Sequence, residues 1–438
     1  MTISVDVQAP QNGFASVKLR ASNGVERQLD LPFEVLQRHC GDGDLIALDF
    51  LILGALCYVT DKMVKRRSDD FPDHWTRPLE LSVPVSAPTL WQTAKAELEG
   101  ALGFLTGDVW NLNFVPLTCP LYAPEKREKE SLRAPADAVC LFSGGLDSLA
   151  GSINLLTDSK RILLVSHYDG AAPEQNTLVE ALENEYPGHV RSLRMRVGHR
   201  SAPAPETTLR SRSLLFIGLG MYAARSLGPN VPLITPENGV IALNVPLTPS
   251  RAGSCSTRTM HPLFLERLTE ALRKVGITNP LSNPLELLTK GEVLLECRNA
   301  PLLKRLAVQS ASCSHPTRRQ IWARKNNGER NCGYCMPCLF RRASMNAAGW
   351  DDGNDYGIDV CRGELLPTRN GSSANDLRAM LSFLRARKTE EDIESDILRI
   401  ARIQSPDIRA KMVVRGFDEV RALLRTKGNA VIRQEAGI

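Results

Sequence analysis

Ala138-Val139-Cys140-Leu141-Phe142-Ser143-Gly144-Gly145-Leu146-Asp147-Ser148 is the stretch from which the rest of the chain is read. An apolar, strand-like run ends in a hydroxyl-rich turn with a glycine pair. A helical pattern starts at once, with Leu149, Ile153 and Leu156 at i, i+4 and i+7. Paired glycines let backbone N–H groups approach an anion with no Cβ in the way, and the helix aims its unpaired N–H groups and positive dipole end at the same point. The stretch reads as a phosphate cradle, with Ser143, Gly144, Gly145 and Ser148 as donors and Asp147 ordering the loop or a magnesium ion. It is not a Walker A loop, because Gly-Lys-Ser/Thr occurs nowhere in the chain.

Downstream of Ala138, strand patterns alternate with helix patterns, which predicts an α/β fold around a parallel sheet covered on both faces. Strands are expected at 161–166 and 192–197, helices at 174–185, 214–224 and 262–275, and strand-like runs over 233–243 around Pro236-Glu237-Asn238-Gly239. Ligands bind such sheets beyond the carboxyl ends of the strands. Ser143, His167, Tyr168 and Glu237 all follow strand-like runs, so all are expected at one crevice. Glu237 and Asn238 suit a guanine-like edge, since a carboxylate accepts two N–H bonds from a 2-amino lactam; a turn residue capping nearby N–H groups is the equal alternative for Glu237. His261, before Pro262, reads as structural ahead of a substrate-side base.

A second constellation is Cys313 with Cys332-Gly333-Tyr334-Cys335-Met336-Pro337-Cys338. Three cysteines at C-x2-C-x2-C spacing form a knuckle, and Cys313 supplies a fourth tetrahedral ligand across a loop. Four thiolates fit structural zinc; the same spacing also serves an iron–sulfur cluster. His315 then has no place in the set. The basic residues nearby, Arg318, Arg319, Arg324, Lys325, Arg330, Arg341 and Arg342, are either a solvated loop or an anion-facing lid.

Residues 1–137 read as a separate α+β domain. Alternating runs lie at 3–7 and 15–19, strands at 79–85 and 109–115, and helices over 46–58, capped by Asp42 or Asp44, and over 90–105. Lys65-Arg66-Arg67 reads as a solvated helix end, and 120–135 as a linker. The unit with the phosphate cradle and the cysteine site is expected over 138–350, and an appended helical module with solvated charges over 351–438.

The chain has 438 residues, net charge +5 and 11 cysteines. No run of about 18 apolar residues occurs and no basic-then-apolar leader is visible, so no membrane segment or secretion signal is read and the cysteines read as thiols or metal ligands of a cytoplasmic protein. The charge neither demands nor excludes nucleic acid.

Taken together, Ser143-Gly144-Gly145-Leu146-Asp147-Ser148 and the four cysteines resemble the 7-cyano-7-deazaguanine synthase (QueC) family, within the ATP pyrophosphatases of adenine nucleotide α-hydrolase-like fold. Arg212-Ser213-Leu214-Leu215-Phe216 is similar to that family's Arg-Asn-hydrophobic helix start. The likeness covers about 138–346. Pro236-Glu237-Asn238-Gly239, Leu247-Thr248-Pro249-Ser250-Arg251 and Ser256-Thr257-Arg258-Thr259-Met260-His261-Pro262, with the extra N-terminal domain, look most like QueC-like proteins of bacterial anti-phage operons, the QatC-like type. The resemblance implies that a 7-deazaguanine carboxylate attacks the α-phosphate of ATP and an amine then displaces AMP; nitrile synthases go on to dehydrate the amide. It implies ATP and Mg2+ at Ser143, Gly144, Gly145, Asp147, Ser148 and His167, catalysis by Asp147, Arg212, Arg258 and Glu237, substrate at Glu237, Asn238 and His261, and Zn2+ on Cys313, Cys332, Cys335 and Cys338. The amine is ammonia or belongs to a partner protein of the same operon.

Two departures bear on the substrate. The chain reads His167-Tyr168-Asp169-Gly170-Ala171-Ala172-Pro173-Glu174-Gln175, without the family's Gln-Arg-His run, and 18 residues separate Cys313 from Cys332, where the synthases have a shorter loop. Two other readings stay open. One is a tRNA-thiolating ATP pyrophosphatase, which needs a free attacking cysteine, Cys255 or Cys297; the other is a non-catalytic zinc- and ATP-binding interaction protein.

Overall fold

The computed structural model describes residues 1–11, 14–41, 43–66, 71, 73–122, 135–168, 173–200, 204–206, 208–249, 251, 258–314, 330–363 and 374–438. The first part of the chain forms β1 (Thr2–Gln11), β2 (Phe14–Ala21), β3 (Glu26–Asp30), α1 (Phe33–Cys40), α2 (Leu45–Met63), β4 (Pro78–Val85), α3 (Pro88–Gln92), α4 (Lys95–Thr106) and β5 (Val109–Pro116). The central part forms β6 (Ala138–Leu141), α5 (Leu146–Thr157), β7 (Ile162–His167), α6 (Pro173–Glu185), β8 (Val190–Met195), β9 (Gly198–Arg200), α7 (Arg212–Leu227), β10 (Leu233–Ile234), α8 (Gly239–Leu243), α9 (Pro262–Lys274), β11 (Leu281–Ser282), α10 (Lys290–Leu295) and α11 (Ala300–Ala307). Helices α12 (Met336–Ala347), α13 (Asn375–Arg385), α14 (Glu390–Ile400), α15 (Pro406–Lys427) and α16 (Ala430–Ala436) follow.

Strands β11-β10-β6-β7-β8, in that order, make an all-parallel sheet. Every residue of β6 and β7 is buried, which is what covering both faces requires and why these strands read as continuous apolar runs. A second, mixed sheet has the order β5-β4-β1-β2-β3-β9. In β5 the alternation is plain: Trp110, Leu112 and Phe114 face inward while Val109, Asn111 and Asn113 face out.

Two expectations change, and one strand arises that the sequence did not signal. Only Leu233–Ile234 of the 233–243 run is strand; Asn238 accepts the Ile241 N–H at 3.2 Å, and that cap starts α8. The helix expected over 90–105 is broken into α3 and α4. Strand β9 leaves the parallel sheet and pairs antiparallel with β3, Leu29 opposite His199, so the two sheets are stitched together. Of the two caps weighed for α2, Asp44 accepts the Ala47 N–H at 3.0 Å, while Asp42 lies outside the described residues.

The cores do not stop at residues 137 and 350. One apolar cluster runs from Ile3 and Leu19 through the length of α2 into α7 and on to Val139 and Leu163. Helices α2 and α7 meet at glycines on both sides, where a Cβ on Gly218 would stand 3.2 Å from the Leu51 Cα. Arg66, expected at a solvated helix end, is buried instead: both of its terminal nitrogens lie 2.7 Å from Asp108 oxygens, and Arg77 joins Asp61 to the same Asp108. The Ser211 hydroxyl donates to Asp61 at 2.7 Å, so this buried network also anchors the start of α7. A second cluster joins Cys332, Cys335, Cys338 and Leu339 to Val240, Leu377, Met412, Phe417 and Leu424. The C-terminal helices are therefore one wall of the cysteine site, and Arg409, expected among solvated charges, is buried against Glu286 at 2.9 Å. No helix of the described residues is long and apolar enough to cross a membrane.

Candidate functional site

Strand β6 ends at Leu141, and the chain turns through Phe142–Gly145 into α5. Gly144 has φ +81°, a conformation that a side chain disfavours, and a Cβ there would also stand 3.1 Å from Gln175 Cγ. The turn is fixed on both sides: Gln175 Nε2 donates to the Ser143 carbonyl at 3.1 Å, and the Ala311 N–H donates to the Gly144 carbonyl at 3.0 Å. Ser143 Oγ accepts the Gly145 N–H at 3.2 Å and lies 3.2 Å from Ser148 Oγ. Gly145 is the N-cap of α5 with no side-chain cap, so the first turn of a 12-residue helix keeps its donors for another acceptor. Ser143, Gly144, Gly145 and Ser148 are brought together as expected.

Asp147, the second residue of α5, is held from two elements. Lys290 Nζ lies 2.7 Å from its Oδ1, and Asn238 Nδ2 donates to its Oδ2 at 2.8 Å. Both members of the ion pair are largely shielded, with 7% and 13% of the Lys290 and Asp147 side chains exposed. With each carboxylate oxygen engaged, these bonds order the loop, and a magnesium ion on Asp147 would have to displace Lys290. Sequence reasoning missed Lys290. Its signal was the capping box Thr289-Lys290-Gly291-Glu292, which puts a cation at the positive end of a helix, a poor place for one unless an anion faces it.

Glu237 stands beside this pair. Asn283 clamps its backbone, accepting the Glu237 N–H at 3.2 Å and donating to the Glu237 carbonyl at 2.7 Å, and the Thr259 hydroxyl donates to Oε1 at 3.2 Å. Burial, then the neighbouring Asp147 charge, pushes the Glu237 carboxyl up to about 7. Asn238, expected at a substrate edge, caps α8 through its oxygen and holds Asp147 through its nitrogen.

The remaining residues lie deeper. His167, expected among the ATP ligands, is fully buried, with Nε2 at 2.9 Å from the Val197 carbonyl and Nδ1 accepting Arg212 Nε at 3.2 Å, and so supports Arg212. Arg212 also donates to the His167 carbonyl at 2.9 Å. Arg258 Nη1 bonds the Phe104 carbonyl at 3.0 Å and its guanidinium lies 4.5 Å from the Phe104 ring centroid, which anchors the 258–261 segment to α4. His261 caps α9 through Nδ1 and the Leu263 N–H; burial, with Arg258 and Arg409 facing it, pushes its pKa down to about 3. The imidazole is thus neutral and caps α9.

The four cysteine sulfurs converge within 4.8 Å of one another, with Cys332 and Cys338 at 3.8 Å and Cys313 and Cys335 at 4.0 Å. Thiolates about 2.3 Å from one tetrahedral ion stand about 3.8 Å apart, so the set fits a single metal ion such as zinc. An iron–sulfur cluster spreads its thiolates over separate irons, so this close convergence suits one ion better. Gly333, φ +87°, makes the tight turn between two ligands, and the Cys335 N–H points at Cys332 Sγ at 3.4 Å. Cys335 opens α12, whose Met336 N–H is capped by Asp376 at 2.8 Å from the C-terminal region.

The metal knuckle and the glycine loop touch. Ala311, bonded to Gly144, and Ser312, whose N–H donates to Asn331 Oδ1 at 3.0 Å, lie just before Cys313. Arg341, one of the residues weighed for an anion-facing lid, is buried beneath this segment, donating to Ser310 Oγ at 2.8 Å and the Ala307 carbonyl at 2.6 Å. Arg342 is buried against Asp351 and Asp359. Both are structural; Arg318, Arg319, Arg324 and Lys325 lie outside the described residues, as do Ser256, Thr257 and Cys255. Cys297 is buried, and that burial raises its pKa. Compared with family models, with curated proteins and with solved structures, the chain finds no match.

Proposed function

We propose that this chain uses ATP to adenylate a carboxylate of the 7-deazaguanine class and transfers the acyl group to an amine, either ammonia or an amine of a partner protein. The observation that carries the reading is the uncapped Gly144-Gly145 turn at the carboxyl end of a buried parallel strand, with the Lys290–Asp147 pair on its flank. An α-helix of full length, two serine hydroxyls and a lysine converge there, the donor set that a leaving pyrophosphate needs. Magnesium, if brought in by the nucleotide, would neutralise phosphate charge beside the Ser143–Ser148 turn. The setting in bacterial anti-phage defence rests on the sequence resemblance.

In the first step a carboxylate oxygen bonds to the α-phosphorus as the bond from that phosphorus to the bridging oxygen breaks. Ser143, Gly145, Ser148 and the first turn of α5 take the charge of the departing pyrophosphate. In the second step the amine nitrogen bonds to the acyl carbon, AMP departs with the electron pair of the broken C–O bond, and the amine proton passes to a base. Glu237, poised near neutrality beside Asp147, has the pKa a general base wants. A base must be deprotonated, so the rate of amide formation is expected to rise with pH through about 7. Glu237→Gln is expected to remove that limb and lower turnover by about 10²-fold or more. A pH profile of AMP release on both proteins checks it, and an unchanged limb in the variant removes Glu237 from this role.

The reaction itself is tested by incubating the full chain with ATP, Mg2+, a 7-deazaguanine carboxylic acid and ammonium, or a candidate partner protein, and identifying the adduct by mass spectrometry beside AMP release. No AMP with any acceptor leaves the non-catalytic zinc- and nucleotide-binding reading. The tRNA-thiolating reading is weakened by Cys297, whose burial holds the thiol protonated, away from the thiolate an attacking cysteine needs.

A further inference from the structure

Lys290 reaches Asp147 because residues 289–292 are gripped from outside by one face of α15. Glu419 accepts a bond from the Thr289 hydroxyl and, at 3.0 Å, from the Gly291 N–H, so its two oxygens bracket Lys290 in the chain. One turn earlier, Arg415 Nε donates to Glu292 Oε1 at 2.6 Å and Nη2 to Oε2 at 3.2 Å. Glu292 in turn closes the capping box with Thr289. Helix α10 has six residues, too few to hold its own first turn, and it carries a cation at its positive end. Left alone, the turn that carries Lys290 would fray; α15 supplies the contacts that oppose it.

We propose that Glu419 is a positioning residue of the nucleotide site, acting through Thr289 and Gly291 to hold Lys290 against Asp147, so that the C-terminal helix forms part of the machinery of the glycine loop. The inference rests on assigning Asp147 and Lys290 to the ATP site. It concerns a residue more than 250 positions from that loop in sequence.

Glu419→Gln keeps the size of the side chain but removes its charge and leaves one acceptor for two donors, so when Gly291 keeps its acceptor the Thr289 hydroxyl can no longer donate here and must accept from the amide instead. On the full chain, Lys290 is labelled with acetic anhydride and its acetylation followed by mass spectrometry, beside AMP release and melting temperature. Lys290 acetylation is expected to rise, and AMP release to fall, by about tenfold or more, the size typical when a partner that orients a ligand group is lost. In a Lys290→Ala background, Glu419→Gln is expected to lower AMP release no further, whereas a merely structural Glu419 would lower it equally in both backgrounds. Acetylation of Lys290 at the wild-type rate in Glu419→Gln overturns the proposal. Faster acetylation with unchanged AMP release upholds the positioning and instead overturns the placing of Lys290 in the ATP site. Glu419→Asp, one methylene shorter and unable to span both donors, is read the same way if the glutamine variant does not fold.

Discussion

Cys335→Ala is expected to yield protein that lacks its metal and has lost order well beyond the knuckle. Cys332, Cys335 and Cys338 are completely buried, and their cluster reaches Leu377, Met380, Val413, Phe417 and Leu424. Zinc contributes about 10–16 kcal/mol to folding in small domains built on such sites, more than the whole stability of most proteins. A three-thiolate remnant in this core would leave a buried, incompletely neutralised ion or three crowded thiols. Hydrogen exchange is expected to quicken across α12, α13 and α15 while the sheet of β1–β5 keeps its protection, because that sheet belongs to the other core. Metal analysis of the wild type is expected to give about one zinc per chain. A Cys335→Ala protein with the wild-type melting temperature, or a wild type carrying iron and sulfide, would show the assignment to be wrong.

Much of the site was legible because its signals are local. A strand, a glycine pair, two serines and an apolar helical stripe lie within 20 residues, and periodicity and turn chemistry decide such a segment almost alone. The cysteine spacing was legible for the same reason, since three ligands fall within seven residues. What sequence could not supply was pairing at a distance. Lys290 meets Asp147 across 143 positions, and Arg66 looked solvated because its partner Asp108 lies 42 positions on. His167 follows a buried strand as a ligand residue would, yet its ring turns inward, because Val197 and Arg212 satisfy both nitrogens there. The 233–243 run misled for a different reason: Val240, Ala242 and Leu243 are apolar enough for a strand, and the Asn238 cap outweighed that preference. Strand β9 had no signal at all, being three residues whose only reason to be extended is the free edge of β3.

The two strongest motifs, read independently, are mechanically joined. Ala311 and Ser312 bind Gly144 and Asn331 within two residues of a metal ligand, and Arg341 from the helix carrying Cys338 props the same segment. The glycine loop is thus bonded to the segment before Cys313 on one side and, through Asp147 and Lys290, to the turn that Glu419 of α15 contacts on the other. The later helices thus pack against the cysteine cluster and hold the turn that carries Lys290.

Gly145→Val is expected to abolish ATP binding while the fold and the zinc content survive. At φ −87° and ψ 171°, Gly145 already has a backbone conformation that valine favours, so no backbone strain accompanies the change. Its Cβ would rest 3.3 Å from Ser143 Oγ and 3.6 Å from the Ala311 carbonyl, a tight but tolerable fit, and the added methyls would occupy the space over the N–H groups that an anion needs. Asp147→Asn acts differently. It leaves Lys290 shielded and without its counter-charge, and breaking a buried pair in this way costs about 3–5 kcal/mol, so a lowered melting temperature is expected along with a fall in AMP release of about 10²-fold or more. Adding Lys290→Met to Asp147→Asn removes the stranded charge and is expected to restore the melting temperature without restoring AMP release. A purely structural pair would behave otherwise, since the double variant would then recover both. ATP affinity, melting temperature and AMP release measured on the same preparations separate the two cases. AMP release at the wild-type rate from Gly145→Val and Asp147→Asn alike would place the active site elsewhere in the molecule.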